Sequence, residues 1–381
     1  MKLGVPLRQG AAVLALAAAG CGEPSSAARG AQDAAAATKQ VSALRLTAPR
    51  AAHSVVSLPD GRVLFIGGCT EDSCETGPAG AGVDVYDPRG GTVRSAGRLT
   101  GPRTSGAVAV LPGGDVLVAG GWSGPAVTDA VERFDPSTGR SRRLKPLAVA
   151  RADIATAVLD DGRVLLAGGY SGGRALDVVE LFDPRTDAIT RLPPLSSPRA
   201  GAMAVKLEGG RVLVVGGGEG TGSDLAPSNR ADVVQVGAGS RRVGDLRTAR
   251  YKHAAVAIGG GRVAVIGGSD ARDNQGKIRS IEIFDPATER FTSGGSAAEA
   301  RYKIGSAVVA LRDGRVFIGG GGTRPEIYDP SAGRSSLLDA PASAPLNFAA
   351  AARLADGRVV VAGGYTEDGI HVTDAVTVYS P

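Results

Sequence analysis

The sequence predicts an all-β chain closed into a seven-bladed propeller, and three observations predict it. The first is composition: 57 glycines among 381 residues, with aromatics at 4%. That load suits many tight turns and fits poorly with long helices. The second is a diglycine that recurs seven times, at Gly67–Gly68, Gly120–Gly121, Gly168–Gly169, Gly216–Gly217, Gly267–Gly268, Gly319–Gly320 and Gly363–Gly364, spaced by 44 to 53 residues. The third is a shared frame around each copy. An arginine opens it, then an apolar run, Asp-Gly-Arg-Val, a second apolar run, the diglycine, a variable loop, and an aromatic before Asp-Pro. A period near ~50 residues with four short strands per unit is what one propeller blade requires.

Taken in chain order, residues 1–20 read as a secretory signal peptide. Lys2 and Arg8 supply positive charge, and Ala11 to Gly20 is a short apolar run. That run is too short for a spanning helix, which needs about 20 residues. Ala18-Ala19-Gly20-Cys21 resembles a bacterial lipobox, so Cys21 is the expected lipidation site. Residues 21–40 are small and polar and read as a flexible tether. The propeller is expected over 41–381, exported and lipid-anchored to the bacterial cell envelope, at the outer membrane. The lipid is the sole membrane attachment expected.

Within each unit, strand a follows the arginine (His53 to Leu58 in the first) and strand b follows Asp-Gly (Arg62 to Ile66). Asp60-Gly61, Asp161-Gly162, Asp313-Gly314 and Asp356-Gly357 predict two-residue type I′ hairpin loops. Strands a and b are apolar almost throughout, as expected of sheets stacked face to face. The diglycine is expected where neighbouring blades crowd. Strand c ends in Tyr86, Phe134, Phe182, Phe284, Tyr328 or Tyr379, and Asp-Pro suits a type I turn into strand d.

The chain stops at Tyr379-Ser380-Pro381, which aligns with the end of strand c, so the last unit lacks a strand d. Leu44 to Arg50 (LRLTAPR) matches the strand d ends Leu99 to Arg103 and Leu195 to Arg199. Residues about 41–47 are therefore expected to complete the last blade and close the ring, removing an open sheet edge. Cys69 and Cys74, five apart in one loop, are either a small-loop disulfide or two free thiols.

This pattern resembles the kelch repeat across residues 43–381. It departs from it in strand d, where Val93, Ser141, Ile189, Phe291 and Ser335 stand in place of tryptophan. The resemblance implies a fold related to the central domain of galactose oxidase, with a binding face where b–c and d–a loops gather around the channel. Six units open with arginine: Arg50, Arg103, Arg151, Arg199, Arg250 and Arg301. Arg301 is displaced by an insertion, and Lys303 is an alternative at that place. The seventh unit has Leu346-Asn347 instead. Two readings of these arginines stand: a cationic ring for an anionic ligand, or ties between adjacent blades.

Residues that break the repeat are the better candidates for specificity. The b–c loops carry Trp122, Tyr170, Glu219, Asp270, Arg272, Tyr365 and His371, and Tyr251-Lys252 and Tyr302-Lys303 recur at the start of two units. Trp122, the single tryptophan, either stacks on a ligand or packs against a loop.

Composition and motifs exclude several functions. The net charge of +5 is modest and no Lys/Arg run occurs, so nucleic acid is not an expected partner. Galactose oxidase chemistry needs copper on two histidines and two tyrosines, one of them crosslinked to cysteine. This chain has three histidines, His53 and His253 at equivalent positions and His371 in a loop, and no adjacent Tyr-His pair. No metal or other cofactor is expected. The expectation is a monomeric, non-catalytic scaffold binding a protein, a peptide or a glycan, anionic ligands included. The alternative is an envelope carbohydrate-active enzyme, a sugar oxidase or one resembling sialic acid mutarotases.

Overall fold

A computed structural model describes residues 41–71, 78–222, 225–271, 276–341, 343–366 and 371–381. The expected signal peptide, Cys21 and the tether lie outside the described residues, as do Cys74 and Arg272. The fold is all-β. Five sheets are four-stranded antiparallel meanders, and an eight-stranded sheet is two more, joined edge to edge by one parallel pair, Ser296 with Arg334. The inner strands are Ser54–Ser57, Ala107–Val110, Ala155–Val158, Met203–Lys206, Ala254–Ala257, Val308–Ala310 and Ala350–Arg353. Each packs against the next, and the last packs against the first. This closed ring surrounds a central channel, as in a propeller.

The ring closes through the N-terminal strand. Val41–Arg45 pairs antiparallel with Ala375–Tyr379, with Leu44 opposite Val376 and Arg45 opposite Ala375. Leu46, just beyond it, donates its N–H to Asp374 O at 2.8 Å and buries its side chain in the core of that sheet. Leu99, Leu147, Leu195 and Leu246 are buried as well, at 5% exposure or less.

Cores lie between sheets. The aromatic that ends strand c wedges into the preceding blade: Phe134 packs with Leu64, Val83 and Val85, and Phe182 packs with Leu117, Ala119 and Val131. Tyr86, packed with Val360 and Val376, ties the first blade to the last. Burying each ring contributes about 2–3 kcal/mol.

The hairpin between strands a and b differs from the expected type I′ loop. Gly61 N–H bonds Leu58 O at 3.0 Å and Leu58 N–H bonds Arg62 O at 2.8 Å, which makes a three-residue loop: a type I turn followed by a left-handed glycine at φ 88°. The same loop recurs at Gly162, Gly314 and Gly357. The reason is local. The Asp60 carboxylate accepts the Arg62 N–H at 3.0 Å, so the aspartate turns the chain through its side chain. Only the glycine then needs a positive φ. The Asp-Pro turns match expectation: Asp87, Asp183 and Asp285 each accept the N–H two residues on, at 2.8–2.9 Å.

Candidate functional site

The six repeated arginines do not form a binding face. All are 5% exposed or less. Each pairs with a carboxylate of strand c in its own unit. Arg50–Asp84 lies at 3.1 Å, Arg103–Glu132 at 2.7 Å, Arg151–Glu180 at 2.9 Å, Arg199–Asp232 at 2.6 Å and Arg250–Glu282 at 2.7 Å, and Arg301 pairs with Glu326. Their forks also reach backbone carbonyls; Arg250 bonds Gly267 O at 3.0 Å and Ser280 O at 3.1 Å. The carboxylates hold the crossing segment too: Asp84 accepts Thr47 N–H, Glu132 accepts Thr100 N–H and Glu180 accepts Ala148 N–H, at 2.7–2.9 Å. Charge removed from water must be paired and hydrogen-bonded, and the fold spends these arginines on joining blades. Lys303 does not replace Arg301, which keeps the arginine place.

The diglycine meets the arginine of the following unit. Gly68, Gly121, Gly169, Gly217 and Gly268 donate their N–H to the carbonyls of Arg103, Arg151, Arg199, Arg250 and Arg301 at 2.7–3.0 Å, and Gly364 donates to Arg50. In the sixth unit Gly321 makes this bond, one residue beyond the expected diglycine. A Cβ on Gly67 would lie 2.3 Å from Arg103 O. In the seventh unit both charges are absent together: Leu346 takes the arginine's place and Thr377 that of the carboxylate. A cavity of about 40 Å³ lined by both residues marks the spot.

The arginines aim backbone rather than charge at the channel. Two residues beyond each lies a left-handed residue: Ala52 (φ 50°), Ser105 (53°), Asp153 (55°), Gly201 (61°), Lys252 (54°) and Lys303 (56°), with Phe348 (52°) in the seventh unit. Neighbours around this ring are hydrogen-bonded at five places. Ser105 N–H bonds Ala52 O, Asp153 bonds Ser105, Gly201 bonds Asp153, Phe348 bonds Lys303, and Ala52 bonds Phe348 across the closure, at 2.9–3.4 Å. All seven line one cavity of about 650 Å³ at the channel mouth. Left-handed backbone costs a non-glycine residue about 1–2 kcal/mol. Glycine relieves that cost in one unit of seven; the other six keep a side chain in the cavity.

Trp122 and Tyr170 also line it, their ring centroids 5.9 Å apart and tilted by 35°. Each sits in a short hairpin of its b–c loop, Trp122–Ser123 with Ala126–Val127 and Tyr170–Ser171 with Arg174–Ala175. Burial raises the Asp153 pKa, and the neighbouring Ser105 side chain, the Lys252 charge and the Trp122 indole partly offset the rise. The Lys303 ammonium stands 4.9 Å from the Tyr302 ring centroid, 5.5 Å from Phe348 and 5.2 Å from Tyr365, and donates to the Tyr365 hydroxyl. Tyr365 itself is buried against Ala51 and Cys69, and Cys69 is disulfide-bonded. Tyr365 thus supports Lys303 from behind the cavity wall. His371 is exposed in the same loop and is not among the cavity's lining residues.

Asp153, Ser105 and Phe348 were not singled out from the sequence. The sequence did not mark them: the position two beyond the arginine reads Ala, Ser, Asp, Gly, Lys, Lys and Phe, and the positions flanking it vary as well.

His53 and His253 face the cavity rim but close on blade seams. A Cβ on Gly363 would meet His53 Cε1 at 2.7 Å, and one on Gly216 would meet His253 Cε1 at 2.5 Å. Burial, and then the charge of Arg50 or Arg250, lowers both imidazoles from 6.5 to about 3. The unfolded chain takes up these protons below about pH 6.5 and the folded chain only near pH 3, so their stabilisation is complete above pH 6.5 and falls as pH drops through that window. We expect the melting temperature of the His53→Ile, His253→Ile double variant, which borrows Ile154 and Ile304 from equivalent positions, to depend less on pH between about 3 and 6.5. Parallel profiles for variant and parent would refute this.

A family model described as Kelch motif matches residues 103–148 and 155–196. Two of its units are kelch motifs, set in a propeller fold. No curated protein matches its sequence. Among solved structures it is similar in fold to a fungal alcohol oxidase of the AA5 family in complex with copper, with a TM-score of 0.72 and 16% identity over 90% of this chain and 76% of that one. The residues of this propeller do not fit such a copper centre. Among the described residues no group of three or more His, Cys, Asp or Glu side chains is placed to hold a metal ion. Its two cavity-facing histidines pack on glycines of different blades.

Proposed function

We propose that this propeller is a non-catalytic binding protein of the bacterial envelope that takes a ligand into its channel-mouth cavity. The observation that supports this best is the left-handed ring: six strained residues retain side chains, and these converge on one cavity with Trp122 and Tyr170. Strained backbone persists where the surrounding structure imposes it, and it clusters at ligand sites. A volume of about 650 Å³ suits a small ligand or the tip of a larger one. The export signal and Cys21 support display at the envelope.

The test is a glycan array and a peptide array, each probed with the full chain and with Trp122→Ala. Binding to one array, weakened at least tenfold by the substitution, is the expected result. Binding to neither, or equal binding by the variant, would overturn the proposal. A second reading, an enzyme acting on sugars, draws on the Asp153 carboxylate in the cavity beside Lys252. Turnover of a bound glycan that is lost in Asp153→Asn would favour it.

A further inference from the structure

We infer that the cavity's ligand is a saccharide whose ring stacks on the Trp122–Tyr170 wall while its hydroxyls bond Asp153, which makes Asp153 the specificity-determining residue. This deepens the binding reading above and rests on it.

The backbone comes first. Asp153 donates its N–H to Ser105 O at 3.0 Å and its carbonyl accepts Gly201 N–H at 2.9 Å, so the strained residue is pinned from both sides. Its side chain therefore enters the cavity in a set direction. The carboxylate lies beside the Ser105 side chain and the Trp122 indole. An ionised carboxylate has about four acceptor sites. Asp153 lines the cavity, so acceptor sites of its carboxylate border it.

The indole has a single donor. That donor lies beside Asp153, and the Trp122 ring lines the cavity. Tyr170 extends the face, and its hydroxyl is already engaged with Gly222 O at 3.1 Å. The wall thus presents flat apolar area, and the hydrogen-bond acceptors sit at its edge. A pyranose has the matching form, C–H groups on one face and hydroxyls around the rim.

Charge selects against other ligands. Lys252 compensates Asp153, and Lys303 also lines the cavity, so a cationic amine meets two ammonium groups. A peptide adding as a strand needs an open edge. The hairpin edges near Tyr170 are taken: Ala175 N–H bonds Gly220 O at 3.0 Å, and Gly222 N–H bonds Gly173 O at 2.6 Å.

Trp122 is the only tryptophan in the chain, so its emission reports the wall directly. The full chain is titrated with glucose, galactose, mannose, N-acetylglucosamine, their disaccharides, the matching uronic acids, and acidic and neutral peptides. At least one saccharide is expected to shift the emission saturably. Asp153→Asn is expected to raise its dissociation constant at least tenfold and to change the ranking of the epimers, which a merely structural role would not do. If Asp153→Asn fails to fold, Asp153→Glu keeps the charge and moves it by one methylene, and the same change of epimer ranking is expected. If peptides bind and saccharides do not, the saccharide inference fails and the cavity reading survives. If nothing binds, both fail. An unchanged epimer ranking in the folded variant removes Asp153 from its role.

Discussion

Replacing Arg199 by alanine is expected to lower the unfolding free energy by about 3–5 kcal/mol, the usual cost of leaving one partner of a buried ion pair alone. Both members of the Arg199–Asp232 pair are 0% exposed, and the guanidinium also bonds Arg230 O and Ser197 Oγ at 2.9 and 3.0 Å. Asp232→Ala should cost a similar amount. The seventh unit shows how the pair can be dispensed with, since Leu346 and Thr377 replace both charges there. Arg199→Leu combined with Asp232→Thr is accordingly expected to recover most of the loss. A cavity near 40 Å³, like the one beside Leu346, would cost about 1 kcal/mol at ~24 cal/mol per Å³. Urea unfolding of the two single variants and the double variant decides the matter. A double variant no better than either single one would mean that the pair does more than satisfy its own charges.

Gly168→Ala should be at least as severe. The added Cβ would lie 2.4 Å from Arg199 O, and the φ of +65° disfavours any L side chain. The substitution adds strain of about 1–2 kcal/mol. It also pushes apart the neighbouring Gly169 N–H to Arg199 O bond of 2.9 Å, worth about 1 kcal/mol. With the steric overlap the total exceeds about 3 kcal/mol, and the variant is expected to accumulate as insoluble protein. Gly172→Ala is the control. Its φ is +55°, but nothing lies within 4 Å of the new methyl, so strain alone should cost about 1 kcal/mol. Equal losses of melting temperature in the two variants would refute the crowding explanation.

Much of this architecture was legible because it repeats. The period, the apolar paired strands, the Asp-Pro turns and the N-terminal closing strand are properties of local sequence, and a unit copied around a ring displays each one several times. The hairpin loop was misread because Asp-Gly is compatible with two turns, and the choice rests on the Asp60 carboxylate reaching the Arg62 N–H. The register of the sixth diglycine was misplaced because four consecutive glycines, Gly319 to Gly322, give no local mark of which one bonds Leu346.

The site was legible only in part. Trp122 and Tyr170 stood out as aromatics that interrupt the repeat, and they do line the cavity. The arginines stood out as a ring of charge, and they turned inward. Their carboxylate partners lie 25 to 34 residues away on strand c, a separation at which sequence carries no pairing signal.

By itself the sequence determined the all-β class, the repeating unit and the way the ring closes. These follow from backbone preference and from the alternation of apolar and turn residues. Tertiary structure alone decided which charged residues face water and which hold blades together. It also decided that the residue two beyond each arginine, unremarkable in sequence, would be forced left-handed and aimed into one cavity. The physical reason is burial: whether a charge is a ligand site or a fastening depends on what the fold places beside it.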